Sequence, residues 1–258
     1  MLLHVGAFQL DVDSKQNTLW HSLAPRTRLL CTLSSVFAIA LTPNGRWWTW
    51  AIYALGVLGL ILLSRVTLPA LLKRVAVEFV FIGVVLLGSL FRSGGEVIWS
   101  WGPLQITTVG LTVLGSVTIK ALLSLLMVNV LTMTTSIPAL LHALVALRTP
   151  PLLVAIMASM YRYISVLIGE FNAMRRAAAS RNLTGSNRWQ RLVIGNMIGA
   201  LFIRTYERGD RVYQAMLSRG YQGLPPVEKV APGGRRDILA LTLTVILALV
   251  GQAIYLPR

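Results

Sequence analysis

The stretch VGLTVLGSVTIKALLSLLMVNVLTM, residues 109–133, carries a single charged side chain, that of Lys120. A helix needs about 20 mostly apolar residues to cross the hydrocarbon core of a bilayer, and this stretch is long enough. The whole chain of 258 residues has the same character, with 55% hydrophobic residues, 13% charged residues and a mean hydropathy of +0.68. Soluble domains are seldom so apolar. The sequence therefore predicts an all-α polytopic membrane protein.

Four further apolar segments are interpreted as spans, which gives about five transmembrane helices. The polar residues before the first of them include Asp11, Asp13 and Lys15, and residues 1–25 lack the successive regions of a signal peptide. We therefore expect the first span to remain in the protein. The predicted spans are residues 28–42, 47–64, 75–91, 109–133 and 237–256.

The loops between the spans predict their orientation. The loop SRVTLPALLKR holds Arg65, Lys73 and Arg74, whereas FRSGGEVIWSWGPLQ, residues 91–105, holds one arginine, one glutamate and two tryptophans. Cytoplasmic loops are enriched in lysine and arginine, and tryptophan favours the membrane interface. The first loop is therefore predicted to be cytoplasmic, the second external and the N-terminus cytoplasmic.

Residues 137–236 differ in composition from the rest of the chain. They hold fourteen lysines and arginines against four carboxylates, and so supply +10 of the net charge of +15. We read this charge as a sign of cytoplasmic location and not of a nucleic-acid interface. The predicted domains are residues 1–136, the N-terminal segment with four transmembrane helices; 137–236, cytoplasmic coupling helices rich in arginine; and 237–258, the last transmembrane helix.

Within the basic block, residues 151–171 are apolar enough to resemble another span. A crossing there would place Arg175, Arg176 and Arg181 outside the cell, against the positive-inside rule. We interpret the segment as a helix that packs within protein or lies near the membrane surface.

Two helical segments of this block have similar ends. One closes on Ser180-Arg181-Asn182 and the other on Ser218-Arg219-Gly220. Asparagine and glycine adopt the left-handed conformation after a helix end most readily, so each arginine is expected to project from a last helical turn. An arginine there also interacts favourably with the helix dipole, which is the simpler explanation of either one alone. A pair of such ends favours a protein interface, because guanidinium groups bind carboxylates in bidentate fashion.

The second of these segments is amphipathic. Its charged stripe includes Arg204, Glu207, Arg208 and Arg211, which recur at helical spacing. The segment is therefore not expected to lie in lipid. Met216, together with other methionines of the block, is predicted either to form an adaptable apolar contact around the arginines or to fill an ordinary core.

Several motifs together resemble a known family. ERGDRVYQAMLSRGYQG, residues 207–223, is similar to the Ala-Arg-Gly motifs of the transmembrane T component of energy-coupling factor transporters. WHSLAPRTRLL, TVGLTVL and MASMYRYISVLIGEFNAMRRAA resemble the CbiQ branch of that family, which is associated with cobalt and nickel uptake. The likeness extends over most of the chain.

The resemblance implies a scaffold in a bacterial or archaeal inner membrane that joins a substrate-binding membrane subunit to two cytoplasmic ABC-type ATPases. By position, Ser180-Arg181-Asn182 matches the first Ala-Arg-Gly motif and Ser218-Arg219-Gly220 matches the second. Serine replaces alanine in both motifs, and Asn182 replaces the glycine of the first. The implied ATPase-docking residues are Ser180, Arg181, Asn182, Ser218, Arg219 and Gly220, with Arg175, Arg176, Arg208, Arg211 and Met216 in support.

Other chemistry is not expected from this chain. It has no phosphate-loop motif, no evident catalytic constellation, one cysteine (Cys31) and no compact metal-ligand spacing, so no cofactor or metal site is predicted. Lys120 lies within a predicted span and Glu78 near the cytoplasmic end of another, where charged groups normally face protein. Both are assigned a structural role between helices, with a contact between Lys120 and the substrate-binding subunit as the alternative.

Alternative functions follow from the same residues. The resemblance to the CbiQ branch implies cobalt, or else nickel, as the cargo, with a T component shared among vitamin uptake systems as the alternative. A self-contained secondary transporter would need substrate ligands at membrane depth, for which only Lys120 is a candidate. A membrane enzyme would need grouped catalytic side chains, whereas Glu207 and Asp210 are better explained by local salt bridges.

Overall fold

The computed structural model describes residues 18–90, 97–101, 104–183, 187–222 and 234–253. Within these ranges the chain forms eight helices and one antiparallel pair of short strands, so the predicted all-helical polytopic fold is confirmed with one small addition. Asp11, Asp13 and Lys15 lie outside the described residues. The elements are α1 (Pro25–Leu41), α2 (Trp47–Ser64), α3 (Leu68–Leu90), β1 (Val97–Trp101), β2 (Leu104–Thr107), α4 (Thr108–Thr134), α5 (Ile137–Ala146), α6 (Pro151–Ser180), α7 (Asn187–Leu217) and α8 (Arg235–Ala253).

Four of the described helices are long and apolar enough to cross a membrane, namely α2, α4, α6 and α8. Helices α2, α4 and α8 coincide with predicted spans. The other two predicted spans correspond to α1, which has 17 residues, and to α3, whose first half carries Lys73, Arg74 and Glu78. Helix α6 contains the segment 151–171, and the interpretation that it does not cross stays a prediction.

The described residues fall into two structural units. The membrane unit comprises α1–α4 with the strand pair, α5 as far as Ala143, and α8. The helix-pair unit comprises residues 144–183 and 187–222 and contains α6 and α7. The predicted division of the chain into domains at 136/137 and 236/237 stays a prediction.

Helix α4 lies at the centre of the membrane unit, where it contacts α1, α2 and α3, and α8 contacts α1 and α2. The α4 face buried in this unit repeats at helical spacing through Leu123, Met127 and Val130. Helix α8 approaches α2 closely, since a Cβ atom added at Gly251 would lie 2.4 Å from the hydroxyl oxygen of Tyr53. The main core cluster contains Ala38, Ile39, Trp50, Tyr53, Val57, Ile61, Val66, Leu71, Val75, Leu123, Met127, Val130 and Met133.

Buried polar groups tie three helix ends together at one end of the membrane unit. Arg28, in the first turn of α1, is 8% exposed. Its guanidinium group donates hydrogen bonds to the carbonyl oxygens of Thr134 (2.9 Å), Leu23 (3.1 Å) and His21. The carboxylate of Asp237, in the first turn of α8, accepts from the backbone N–H of Ala24 at 2.8 Å. The start of α1, the end of α4 and the start of α8 therefore lie side by side.

Gly234 completes this arrangement by donating its backbone N–H to the second carboxylate oxygen of Asp237 at 2.7 Å. Trp20 donates its indole N–H to the hydroxyl of Thr134 at 3.0 Å. At the other end of the unit, the backbone N–H of Gly45 donates to the hydroxyl of Ser116 at 3.0 Å, which joins the α1–α2 connection to the first half of α4. Helices α1 and α4 thus run in opposite directions.

We predict that Arg28→Leu lowers the thermal stability of the purified chain far more than Arg26→Leu does. Arg28→Leu removes the donors of two buried carbonyl oxygens and one partly buried carbonyl oxygen, and each hydrogen bond from a charged group contributes about 1.5–3 kcal/mol. Arg26 lies two residues away and is exposed, so it is the matched control. The measurement is the unfolding temperature in detergent. Equal temperatures for the two variants would show that the buried guanidinium group does not hold these helix ends together.

Candidate functional site

An ion pair joins the two long helices of the helix-pair unit. Arg208 of α7 contacts Glu170 of α6 through its guanidinium group, and both side chains are partly buried. Near the same position on α7, Arg211 pairs with Glu207 at 3.8 Å, but this pair is largely exposed and joins neighbouring turns of one helix. The Arg208–Glu170 pair therefore fixes one point of contact between α6 and α7.

Helix α6 ends in a Schellman motif. The N–H of Asn182 donates to the carbonyl oxygen of Ala179 at 3.0 Å, and the N–H of Leu183 donates to that of Ala178 at 3.1 Å. Asn182 has a φ of 59°, in the left-handed region. Asparagine tolerates this conformation better than other residues with a side chain, which explains why the helix can stop here without glycine. Arg181 occupies the C-cap position.

Helix α7 ends in the same motif. The N–H of Gly220 donates to the carbonyl oxygen of Leu217 at 2.9 Å, and the N–H of Tyr221 donates to that of Met216 at 3.1 Å. Gly220 has a φ of 81°, which a residue with a Cβ atom rarely adopts. Arg219 occupies the position that Arg181 occupies at the end of α6.

The two caps agree in their side chains as well as in their backbone. Ser180 donates its hydroxyl to the carbonyl oxygen of Ala177 at 2.9 Å, and Ser218 donates to that of Ala215 at 3.0 Å. Both hydroxyls are thus directed back onto their own helices. Arg181 and Arg219 are exposed, and neither forms an ion pair with any carboxylate in the described ranges.

Helices α6 and α7 run in roughly opposite directions, since Met216 near the end of α7 lines the same groove as Leu152 and Leu167 of α6. Arg181 lies eleven positions after Glu170, and Arg219 lies eleven positions after Arg208, the partner of Glu170 in the ion pair. Eleven residues of α-helix extend about 16 Å. The two caps therefore lie at opposite ends of the helix pair, on the order of 30 Å apart.

The remaining predicted residues of this unit have different environments. Arg175 is half-buried and Arg176 is exposed on α6, whereas Arg208 is engaged with Glu170. Met216 lines an apolar groove of about 860 Å³ between the end of α7 and the first half of α6. The groove's other residues include Ala155, Ile156, Ser159, Met160, Tyr163 and Tyr221.

In the membrane unit, Lys120 and Glu78 have separate partners. The ammonium group of Lys120 lies 5.5 Å from the ring centroid of Trp50 on α2, in a cation–π contact. Glu78 of α3 accepts a hydrogen bond of 2.6 Å from the side-chain amide of Asn129 on α4. Each contact joins two helices, and the two charged residues do not pair with each other.

The Glu170–Arg208 pair was not recognised in the sequence. Glu170 is the only carboxylate in α6 and lies among several arginines, and this local imbalance was the available signal. The partner on α7 could not be inferred, because the pair links positions distant in sequence. Among the described residues, no group of three or more histidines, cysteines, aspartates and glutamates lies close enough to hold a metal ion.

Residues 16–230 match the CbiQ family, described as "Cobalt transport protein". The energy-coupling factor transporter transmembrane protein EcfT 1 of Listeria monocytogenes is 29% identical over 218 residues, which cover 80% of this chain and 81% of the relative. The EcfT protein of Listeria innocua is 30% identical over 219 residues, covering 80% and 82%. A putative fused cobalt transport protein CbiMQ of Methanocorpusculum labreanum is 32% identical over 141 residues, covering 52% and 23%.

These matches confirm the family resemblance seen in the sequence. Cobalt is named in the family description and in the Methanocorpusculum labreanum relative, but not in the two Listeria relatives. The family match covers most of the chain, including α1–α7 and both capped helix ends. The chain therefore belongs to the CbiQ/EcfT family and is a non-catalytic, multi-pass transmembrane component of an energy-coupling factor transporter in a prokaryotic cell membrane.

Proposed function

We propose that the helix-pair unit docks onto two cytoplasmic ATPase subunits, one at each end, and that Arg181 and Arg219 are its main polar anchors. The observation that carries this proposal is that the two caps share the same pattern of backbone and side-chain hydrogen bonds. Each sets an exposed arginine beside a left-handed residue at a helix end, and the two ends are on the order of 30 Å apart. Two separated and chemically equal contacts suit a partner made of two similar subunits.

The chemistry of the contact follows from the arginine side chain. A guanidinium group binds a carboxylate through two parallel hydrogen bonds, so each ATPase groove is expected to present an acidic residue. Arg175, Arg176 and Arg211 would add attraction around the anchors. Arg208 contributes differently, because its ion pair with Glu170 fixes one point at which α6 and α7 contact each other.

The helix pair would transmit motion as one unit, held together by the Glu170–Arg208 ion pair. ATP binding would change the separation of the two ATPase subunits, and the docked helix ends would follow, since the closed dimer favours one arrangement of the pair. The membrane part would then alter its contact with a substrate-binding membrane subunit and so promote release of cargo. Lys120 and Glu78 would support the membrane unit through their contacts between helices.

The orientation of the membrane unit is proposed from its charges. The helix ends tied together by Arg28 and Asp237 also lie beside the end of α2, because Arg65 and Arg236 line one cavity. The basic residues at this end exceed those at the end that carries Arg46, which supports a cytoplasmic location for it and for the N-terminus. The basic residues concerned are Arg26, Arg28, Arg65, Lys73, Arg74, Arg235 and Arg236.

We predict that Arg219→Glu and Arg181→Glu each reduce recovery of the ATPases with the affinity-purified chain. Charge reversal opposite a desolvated carboxylate costs about 2–5 kcal/mol or more of binding free energy. Arg204→Glu is the matched control, because Arg204 is exposed on the same helix as Arg219 but away from both caps. ATPase recovery that is unchanged in both motif variants, or reduced equally by the control, would contradict the docking proposal.

The left-handed residues yield a second prediction. Asn182→Gly should retain ATPase docking, because glycine adopts a φ near the observed 59° without strain. Asn182→Val and Gly220→Val should weaken docking, since the left-handed conformation costs an ordinary residue about 1–2 kcal/mol and its loss changes the path of the chain directly after the arginine. Asn196→Val, at an exposed site within α7, controls for valine in a helix. Full recovery with both valine cap variants would show that cap geometry does not matter.

We propose cobalt as the cargo, with nickel or a vitamin as the alternatives. The family description and the fused CbiMQ relative support cobalt, whereas the names of the Listeria relatives fit a general T component. Cells that produce this chain with its substrate-binding subunit and ATPases should accumulate cobalt, and Arg219→Glu should abolish the accumulation. Accumulation of a vitamin or of nickel in preference to cobalt would assign the alternative cargo.

A further inference from the structure

Two adjoining cavities lie on the surface of the membrane unit. The first is an apolar groove of about 640 Å³ between α2 and α8, with Cys31 of α1 at its floor. Its volume is within the range of about 300–1,000 Å³ typical of ligand pockets. Its walls are formed mainly by Leu55, Gly59 and Leu63 of α2 and by Leu239, Leu243 and Leu247 of α8.

The second cavity, of about 590 Å³, is more polar and continues the groove at the end of α2. Its lining includes the side chains of Thr18, Arg65 and Arg236. Both cavities are lined by Leu19, Ser22, Leu63 and Arg236, so the apolar groove is continuous with the second cavity. Because the second cavity contains two arginines, we call it the basic mouth of the groove.

We propose that this composite site binds an anionic phospholipid, with one acyl chain in the groove and the phosphate at Arg65 and Arg236. Basic pockets between transmembrane helices at the cytoplasmic side are suited to the headgroups of anionic lipids. The site shares no residue with the ATPase-docking ends, and the proposal rests on the family's membrane location and on the proposed orientation, not on the docking proposal.

The length of the groove matches an acyl chain within one leaflet. Leu55 and Leu63 are eight positions apart on α2, which corresponds to about 12 Å of helix. One leaflet contributes half of the hydrocarbon core, or about 15 Å. Arg65 follows at the end of α2 and so lies at the depth expected for a headgroup.

The charges at the mouth complement a phosphate group. Arg65 and Arg236 are exposed, and no carboxylate in the described part of the chain pairs with either of them. The nearest acidic residue in sequence, Asp237, is already occupied by the backbone N–H groups of Ala24 and Gly234. Two guanidinium groups with spare donors can therefore both bind phosphate oxygens.

The backbone at Arg65 adopts an uncommon conformation. Arg65 has a φ of 49°, in the left-handed region, where residues other than glycine, asparagine and aspartate are uncommon. Its N–H still donates to the carbonyl oxygen of Ile61 at 3.1 Å, so it caps α2. A lysine or arginine held in such a conformation at a helix end is consistent with a ligand-binding role.

Gly59 keeps the groove open. A Cβ atom added at Gly59 would meet no other atom within 4 Å, whereas one added at neighbouring Gly56 would meet Leu247 at 2.9 Å. Gly56 thus lets α2 and α8 touch, and Gly59 leaves space beside that contact. A larger side chain at Gly59 would occupy the groove without disturbing the contact between the helices.

The test titrates the full-length chain in mild detergent with phosphatidylglycerol and, separately, with phosphatidylcholine, and counts bound lipid by native mass spectrometry. The wild-type chain should prefer phosphatidylglycerol. Arg65→Gln/Arg236→Gln should bind it at least about tenfold more weakly, because each basic residue contributes to attraction of anionic lipid. Gly59→Leu should also lose the lipid although both arginines remain.

Two matched controls separate this site from general effects. Lys73→Gln/Arg74→Gln removes the same charge from α3, and Gly83→Leu adds the same side chain at a glycine that also has open space around it. Both controls should bind lipid as the wild type does. Unfolding temperatures identify any variant that fails to fold, and Gly59→Leu then decides the matter without a change in charge.

Three results would overturn the proposal. Equal binding of the two lipids would show that the charge of the headgroup plays no part. Equal loss of phosphatidylglycerol binding in Arg65→Gln/Arg236→Gln and in Lys73→Gln/Arg74→Gln would indicate only general attraction to a basic surface. Retention of phosphatidylglycerol by Gly59→Leu would show that the groove holds no acyl chain and is available to another occupant, such as a helix of a partner subunit.

Discussion

The cost of placing charge in hydrocarbon is the constraint on which this structure depends. Helices satisfy their own backbone hydrogen bonds in a membrane, but charged side chains there need partners. The chain meets this requirement at three depths. Arg28 and Asp237 bind backbone groups where three helix ends meet, Glu78 binds Asn129, and Lys120 lies against the ring of Trp50. In the described part of the membrane unit, the other charged residues lie at or near helix ends, where water, lipid headgroups or other proteins can bind them.

Helix ends are accordingly where the proposed interactions lie. The caps of α6 and α7 use the same hydrogen-bond pattern, in which a left-handed residue directly follows an arginine, and each leaves that arginine exposed. The Glu170–Arg208 pair sets the distance between the two ends. A braced pair of helices with a charged contact at each end can follow the movement of two partner subunits, which is the mechanical role that we propose for this family member.

Local sequence signals predicted the local structure well. The left-handed conformations of Asn182 and Gly220 were expected from residue type alone, and apolar length predicted α2, α4 and α8. Contacts between distant residues carried no such signal. The guanidinium group of Arg28 donates to the carbonyl oxygen of Thr134, 106 positions away, Glu170 pairs with Arg208, and the groove beside Gly59 depends on the approach of α8. The β1–β2 strand pair was missed because its tryptophans were interpreted only as residues of the membrane interface.

The central claim is that the two capped ends contact two ATPase subunits, and site-specific photo-crosslinking tests it most directly. A photoreactive residue in place of Leu183 or Gln222 lies beside one anchor and leaves both arginines intact. In the assembled transporter, each position should capture one ATPase subunit, and a chain labelled at both should capture two. Capture of the membrane subunit alone, or of no ATPase at either position, would contradict the account.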